Sequence, residues 1–436
     1  MKRRDFVSAA ASVAAAPLIR VQGMTTLRQR APLKANGARL NEWLAQFDQI
    51  GRTATGINRV AYSDADLAGR AFTLNLYRAA GLAPRIDAAG NIVARLEGRD
   101  PAAPPIVIGS HIDSVTDGGN YDGPLGSFGA IEVAQSLQEQ RVRLRHPLDI
   151  VVWSCEEGGL VGSKLAIEDA GTMSLDSVAR SGVTIREGIA RVGGDVSRLE
   201  ESLRRRGSAK CYIELHIEQG GLLDRDGLRA GVVQGIVGLR FLDVTIEGTG
   251  NHAGSTPMDQ RQDAVLAAAK FTVAVNDAAR AMPGRQVATV GRVVPSPNTR
   301  NVIAGRVDLT VDVRDLDPAT LDALFATIER SAAEIAMATN TRFSIRTTQR
   351  SEPALADARI MDIIASSASA LGLSSQRMPS GAGHDAQSMA HIAPMGMIFV
   401  PSVGGISHAP QEFTKPEDCA NGADILLNAV VAADAL

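Results

Sequence analysis

The chain has 436 residues, which at about 150 residues per domain is too long for one ordinary domain and favours two or three. Hydrophobic residues make up 45% and charged residues 21%, a composition that excludes an intrinsically disordered chain. The 45 Lys and Arg and the 48 Asp and Glu leave a formal charge of −3, so no bulk positive field favours nucleic acid or an anionic membrane as a partner.

The first 30 residues resemble an export signal. Arg3-Arg4 followed by Phe6 resembles a twin-arginine motif, and residues 8–19 form a weakly apolar run without charge. This run is too short and too rich in alanine to be a stable membrane anchor. We therefore expect a periplasmic or otherwise exported protein. The alternative is a cytoplasmic protein whose basic terminus is disordered.

The next two hundred residues alternate between helical and strand patterns. Apolar spacing predicts, in turn, a helix at 40–50, a helix at 67–80, a strand at 91–96, a strand at 105–110, a helix at 126–140 and a strand at 148–154. This alternation favours an α/β fold, with a central mixed or parallel sheet between helices.

A different pattern begins near residue 237. Strands are predicted at 239–248, 286–294, 302–314 and 341–350, and helices at 263–281 and 318–339. Four strands and two helices of this kind favour a small α+β domain with an antiparallel sheet. A helix at 358–371 and a strand at 395–400 then return to the first pattern. We therefore predict a main domain formed by residues 31–236 and 350–436, with residues 237–349 inserted as a second domain.

Histidines and carboxylates are concentrated at the ends of the predicted strands. The candidate metal donors are His111, Asp122, Glu156, Glu157, His216 and His408. The carboxyl ends of strands are where α/β sheets bind their ligands. The three cysteines, at 155, 211 and 419, are too far apart in sequence to supply a thiolate site. Nitrogen and carboxylate donors without thiolates favour zinc, manganese or a similar divalent ion.

Two neighbouring pairs indicate how such a site could work. Glu156 and Glu157 repel each other unless a cation lies nearby, so one could bind an ion while the other accepts a proton from bound water. Asp113 is placed to accept the second ring N–H of His111. Taken singly, each feature has a plainer explanation, such as a hydrogen-bonded core histidine or a solvated glutamate pair.

The ordered set of motifs resembles a known family over the chain from about residue 40 to its end. These motifs are Gly109-Ser-His111-Ile-Asp113-Ser, Gly118-Gly-Asn-Tyr-Asp122-Gly, Glu156-Glu157-Gly, His216-Ile-Glu-Gln219-Gly, Asn251-His252-Ala-Gly-Ser-Thr-Pro-Met, Pro297-Asn-Thr-Arg-Asn301-Val-Ile, Asp312-Val-Arg314, Ser380-Gly-Ala-Gly383-His-Asp-Ala and Gly405-Ile-Ser-His408. The set resembles the hydantoinase/carbamoylase branch of the M20 metallopeptidase-like amidohydrolases. That branch contains N-carbamoyl-L-amino-acid hydrolases, allantoate amidohydrolases and β-ureidopropionases.

The resemblance implies a zinc-binding α/β domain with residues 237–349 as a lid and dimerisation domain. It also implies a homodimer in which each chain holds two divalent ions, zinc first, with manganese, cobalt or nickel as alternatives. One ion would be bound by His111 and His216, the other by Glu157 and His408, with Asp122 bridging the two. Catalysis would use Glu156 as the general base, Asp113 to orient His111, and His252 of the partner subunit to stabilise the oxyanion. Small-molecule substrate would be held by Gln219, Asn301, Arg314 and Gly383.

The chain departs from the family pattern in the loop 158–163, which is short and lacks the usual Arg-Phe. The departure leaves every predicted ligand in place but opens the choice of substrate. We expect hydrolysis of the C–N bond in an N-carbamoyl-L-amino acid or related ureido acid. The alternatives are allantoate and an aminoacylase-like or dipeptidase-like activity. An inactive binding protein is disfavoured, because decay would have removed a ligand or the base.

Overall fold

The computed structural model describes residues 31–167 and 173–436, so the export signal predicted for residues 1–30 lies outside the described residues. The helices are α1 (Gly37–Phe47), α2 (Asp64–Ala79), α3 (Pro124–Glu139), α4 (Val161–Leu165), α5 (Ile185–Arg191), α6 (Leu222–Asp226), α7 (Ala264–Ala281), α8 (Pro318–Thr339), α9 (Ala358–Ala370), α10 (Asp385–Met389) and α11 (Pro416–Asp434). Within the described part of the chain, no helix is both long and apolar enough to cross a bilayer.

The strands form three sheets. They are β1 (Arg85–Ile86), β2 (Ile92–Leu96), β3 (Ile106–His111), β4 (Leu148–Trp153), β5 (Cys211–Ile217), β6 (Ala230–Ile236), β7 (Gly238–Glu247), β8 (Asn251–His252), β9 (Val287–Ser296), β10 (Val302–Ile303), β11 (Arg306–Asp315), β12 (Arg342–Ser351), β13 (Ala354–Leu355), β14 (Ser375–Ser380) and β15 (Met395–Val400).

The largest sheet is mixed and forms the centre of an α/β fold, as predicted. Its order is β1-β2-β4-β3-β5-β15-β6-β13, with β14 also paired to β6. The central strands β4, β3, β5 and β15 run parallel, so their carboxyl ends meet at one edge of the sheet. Both faces are buried: Ile106 and Ile108 contribute to the core that α1, α3, α9 and α11 cover, and Val107 to the core on the other face.

A separate antiparallel sheet has the order β12-β7-β11-β9 and is built from residues 238–351 alone. Its strand β7 alternates buried and half-buried residues, because α7 and α8 cover only one face. This is the α+β architecture predicted for the insertion.

The strand predicted at 302–314 is two strands, so that prediction was wrong in one respect. β10 pairs with β8 in a small ribbon, while β11 belongs to the four-stranded sheet. Gly305 lies between them, where a Cβ would come within 2.8 Å of the backbone nitrogen of Gly250. The two chain segments approach so closely that the strand breaks there.

Candidate active site

Two histidines lie on neighbouring parallel strands and face the same carboxylate oxygen. His111 is the last residue of β3 and His216 lies near the end of β5. Their Nε2 atoms are 3.4 and 3.2 Å from Oδ1 of Asp122. Asp122 can approach because Gly123, at φ 81°, has no side chain; a Cβ there would lie 2.4 Å from the His111 ring.

The other ring nitrogen of each histidine is held by a backbone carbonyl. Nδ1 of His111 lies 3.0 Å from the carbonyl oxygen of Asp113, and Nδ1 of His216 lies 2.9 Å from that of Ile217. A carbonyl only accepts, so each ring donates its Nδ1 proton to that carbonyl and turns Nε2 towards Asp122. Both Nε2 atoms are buried and have no hydrogen-bond partner. Two buried ring nitrogens that have no hydrogen-bond partner and lie beside a carboxylate fit a metal cation.

The second oxygen of the same carboxylate faces a different pair of donors. Oδ2 of Asp122 lies 3.3 Å from Nε2 of His408, and that nitrogen is also 3.3 Å from Oε1 of Glu157. The structure therefore brings together two donor groups, His111–Asp122–His216 and Asp122–Glu157–His408, which share Asp122. All five residues predicted as metal ligands belong to these groups.

Asp113 does not hold His111 in the predicted way. Its carboxylate is 3.7 Å from Nδ1 of His111, and the main-chain carbonyl takes that hydrogen bond instead. The carboxylate accepts the backbone N–H groups of Glu156 and Glu157, both at 3.1 Å. These amides are free because strand β4 ends at Trp153 and the chain turns at Cys155, where φ is 56°. Asp113 thus fixes the segment that carries both glutamates.

Glu156 lies beside the first donor group. Its Oε2 is 3.7 Å from Nε2 of His111. Burial raises the pKa of Glu156 well above its ordinary value, and Asp385 and Glu157 add to the rise while His111 opposes it. A carboxyl group with a raised pKa can accept and return a proton near neutral pH.

The charges of the second donor group are strongly interdependent. Hydrogen bonds to Asp122 and Glu157 raise the pKa of His408 to about 10. Burial alone would raise the pKa of Asp122, but His216, His111 and His408 together hold it well below its ordinary value. The anionic form of Asp122 is therefore strongly favoured, which suits a carboxylate shared by two cations.

A cavity of about 790 Å³ opens over these groups. Its wall includes Glu156 and Glu157 together with three of the predicted substrate residues, namely Gln219, Arg314 and Gly383. The short loop 158–163 also contributes to the wall, through Gly159 and Leu160. The amide of Gln219 donates to Oδ2 of Asp122 at 2.5 Å.

Arg314 comes from the antiparallel sheet and reaches the cavity wall with an ordered guanidinium. Its Nε and Nη2 donate to Asp312, and its Nη1 donates to the carbonyl of Gly381 at 2.7 Å. A guanidinium has five N–H groups, so one on each terminal nitrogen remains for a ligand.

The structure does not bring the two remaining predicted residues to this cavity. Among the described residues that line it, neither His252 nor Asn301 occurs. They lie together instead on the β8–β10 ribbon, where Ala253 donates its N–H to the carbonyl of Asn301 at 3.0 Å. Nδ1 of His252 accepts the N–H groups of Gly254 and Ser255, which leaves the exposed Nε2 as the hydrogen-bond donor of the ring.

Comparison with known proteins agrees with this geometry. The model of peptidase family M20/M25/M40 matches residues 107–432, a span that contains every donor described above. The chain belongs to this family. Its similarity to solved structures places it in the hydantoinase/carbamoylase branch, as the motifs predicted: a hydantoinase/carbamoylase family amidase from Burkholderia multivorans is 35% identical, with a TM-score of 0.86 over 93% of this chain and 99% of that one.

Curated relatives of this M20 protein act on several ureido compounds, according to their names. The N-carbamoyl-L-amino acid amidohydrolase of Geobacillus stearothermophilus is 36% identical, covering 90% of this chain and 98% of its own. The ureidoglycolate hydrolase of Arabidopsis thaliana is 36% identical, covering 85% and 80%. The allantoate amidohydrolase of Escherichia coli (strain K12) is 33% identical, covering 88% and 94%.

Several buried residues near the M20 donor set were not predicted from the sequence. Glu214 lies under the site and accepts hydrogen bonds from Ser110 and Tyr212. Glu412 accepts four hydrogen bonds from the two loops that carry Asp122 and His408. The sequence held one signal that could have identified Glu412: it lies only four residues after His408, in the same loop.

Proposed function

We propose that this M20 protein hydrolyses the ureido C–N bond of an N-carbamoyl-L-amino acid or a related ureido acid. Membership of the family makes it a hydrolase of C–N bonds in linear amides. The observation that carries the finer proposal is the joint position of Glu156, Arg314 and the donors Asp122, Glu157 and His408 on one cavity wall, with His111 and His216 next to Asp122. This arrangement places proton transfer, cation binding and carboxylate binding within reach of one small molecule.

The donor set fits two divalent cations. His111 and His216 would hold one, Glu157 and His408 the other, and the carboxylate of Asp122 would bridge them. Zinc is the first candidate, because imidazole and carboxylate donors suit it, and manganese, cobalt and nickel remain alternatives. Bound at these residues, such cations polarise a carbonyl group and lower the pKa of water.

Glu156 supplies the proton transfers in this proposal. Its carboxylate accepts a proton from the attacking water and returns it to the leaving nitrogen. Asp113 assists by holding the Glu156 and Glu157 backbone through two hydrogen bonds of 3.1 Å. A base held in this way keeps its position while its charge changes.

Arg314 recognises the carboxylate of the substrate. Two of its five N–H groups are uncommitted, and two N–H groups in one plane match a carboxylate bidentately. Asp312 and the Gly381 carbonyl fix the plane of the guanidinium beforehand, which reduces the entropy lost on binding.

We further propose a homodimer in which His252 completes the active site of the partner subunit. His252 offers Nε2 as a hydrogen-bond donor, which is the group that an oxyanion requires. It lies outside the cavity of its own chain, next to Asn301 on the same ribbon, so Asn301 would reach the same partner site.

Mixing two inactive variants tests this arrangement. In a dimer of Glu156→Gln and His252→Ala chains, one site has both an intact base and an intact His252 from the other chain. About a quarter of wild-type activity should return after the subunits exchange, since half of the dimers are mixed and one of their two sites is complete. Mixtures that stay inactive despite proven exchange would show that His252 acts within its own chain.

A substrate panel tests the function itself. Purified protein reconstituted with zinc, manganese or cobalt would be given N-carbamoyl-L-amino acids, their D-enantiomers, allantoate, ureidoglycolate, N-acetyl-amino acids and dipeptides. We expect the highest kcat/KM on an N-carbamoyl-L-amino acid. Turnover of dipeptides without turnover of any ureido compound would overturn the proposal, and preference for allantoate or ureidoglycolate would move the protein to that activity.

A further inference from the structure

The two loops that carry Asp122 and His408 meet at one buried carboxylate, that of Glu412. The loops are far apart in sequence: one precedes helix α3 and the other follows strand β15. Glu412 is 6% exposed. It packs against the backbone of Gly119, where an added Cβ atom would lie 2.3 Å from the Cβ of Glu412.

Each oxygen of this carboxylate binds a different loop. Oε1 accepts the backbone N–H groups of Tyr121 and Asp122, at 2.8 and 3.0 Å. Oε2 lies 2.8 Å from the hydroxyl of Ser407, which is also 3.0 Å from Oδ2 of Asp122, and it accepts the backbone N–H of His408 at 3.3 Å. These four contacts join the Asp122 loop and the His408 loop at a single buried side chain.

The two donor groups depend on the hydrogen bonds of Glu412 to different degrees. His111 and His216 are members of β3 and β5, which pair directly in the central sheet. His408 belongs to no helix or strand, its side chain is 49% exposed, and its backbone has a φ of 54°. Outside Glu412, the described structure gives the backbone N–H of His408 no hydrogen-bond acceptor.

We propose that Glu412 is a positioning residue that sets the spacing between Asp122 and His408, and thereby selectively controls affinity for the cation held by Asp122, Glu157 and His408. The inference rests on the proposed two-ion centre. Glu412 touches neither substrate nor cation; it acts through the backbone of both ligands.

A carboxamide at this position separates the contact of residue 412 with the Asp122 loop from its contact with the His408 loop. In Glu412→Gln, the oxygen can still accept from Tyr121 and Asp122, but the amide N–H₂ faces the backbone N–H of His408. Two donors are then opposed to each other, which releases the His408 backbone while the Asp122 loop stays bound. Ser407→Ala is a second variant that keeps the Glu412 carboxyl group and removes a hydroxyl that contacts both Glu412 and Oδ2 of Asp122. Glu42→Gln on the exposed surface of α1 is the matched control.

Stepwise Co²⁺ binding, followed by absorption and by competition with a chelator, measures the two affinities without reference to turnover. In Glu412→Gln we expect the site of His111, Asp122 and His216 to change less than about threefold, while the site of Asp122, Glu157 and His408 loses about 10- to 100-fold in affinity. Ser407→Ala should lose less at the same site, and Glu42→Gln should match the wild type. The absorption bands of the first ion should be unchanged, which a general loss of structure would not allow.

Two results would overturn the inference and are distinguishable. If wild-type protein binds two ions and Glu412→Gln binds both with unchanged affinities, or loses both equally, the positioning role is wrong and the two-ion centre stands. If wild-type protein binds fewer than two ions, the two-ion centre fails and this inference fails with it. Should Glu412→Gln not fold, Ser407→Ala decides between selective and equal loss.

Discussion

Glu156 combines burial with access to the cavity, and it belongs to neither donor group. It is 8% exposed and lies 3.7 Å from His111, while Asp113 holds its backbone. These features suit a group that moves protons rather than one that binds a cation.

Replacing Glu156 with Gln should therefore abolish turnover and keep the metal. We expect kcat to fall by about 10²- to 10⁴-fold, because the carboxamide cannot accept the proton of the attacking water. Elemental analysis should find the wild-type metal content. Glu157→Gln is the matched comparison: it should lose metal as well as activity. A Glu156→Gln protein with wild-type kcat would show that another group is the base.

The sequence identified the donors more readily than their surroundings. His111, Glu156 and His216 lie at or near strand ends, and parallel strands bring such positions together by geometry alone. The hydrogen-bond acceptor of the His111 ring was harder to predict from the sequence. Whether the carboxylate or the carbonyl of Asp113 faces the ring depends on the turn after β4, a contact made across the sheet.

At the scale of elements, helix α3 is the support of Asp122. It begins at Pro124, two residues after that carboxylate, and packs on β3 and β5. The contact is close at Gly126, where a Cβ would lie 2.0 Å from the carbonyl oxygen of Leu215. Gly129, one turn later, faces only the flexible end of the Leu215 side chain, at 2.9 Å.

Alanine at these two glycines should have different consequences for stability. Gly126→Ala forces α3 off the sheet and should cost about 1–3 kcal/mol of the free energy of unfolding, despite the gain in helix propensity. Gly129→Ala should be near neutral, since a rotamer change accommodates the methyl group and the helix gains about 0.5–1 kcal/mol. Urea denaturation measures both. Equal effects would show that the backbone contact does not hold α3 in place.

The boundaries of most elements followed from local signals. Ser63, Asp263 and Asp317 each cap a helix that the sequence placed within three residues of its observed start. The split between β10 and β11 had no such signal. It results from the approach of Gly305 to Gly250, which depends on where a distant segment of the chain runs.

At the scale of the whole molecule, the site joins two sheets. The central sheet and the loops that follow its strands supply the candidate cation donors, while the antiparallel sheet supplies Arg314 at the cavity wall. The motifs predicted both contributions, but they did not reveal that Arg314 and Asn301 lie in different surroundings. That separation arises from the β8–β10 ribbon, whose direction no local pattern encodes.

Metal removal should change the stability of the whole fold in a pH-dependent way. Without metal, hydrogen bonds to Asp122 and Glu157 raise the pKa of His408 from 6.5 to about 10. The pairing therefore stabilises the metal-free fold fully below pH 6.5 and is lost as the pH rises towards 10. Metal binding needs neutral His408. As the pH rises from 6.5 towards 10, the cation therefore displaces fewer protons from His408 and binds more tightly.

The two trends act together, so the stabilisation that metal confers should grow with pH. We expect the difference in Tm between metal-loaded and chelator-treated protein to increase from pH 6.5 to pH 9, measured by calorimetry at fixed free metal. In His408→Asn the imidazole no longer titrates, and the increase should be clearly smaller. A difference in Tm that is constant or shrinks over this range in the wild type would show that protons and cations do not compete for His408.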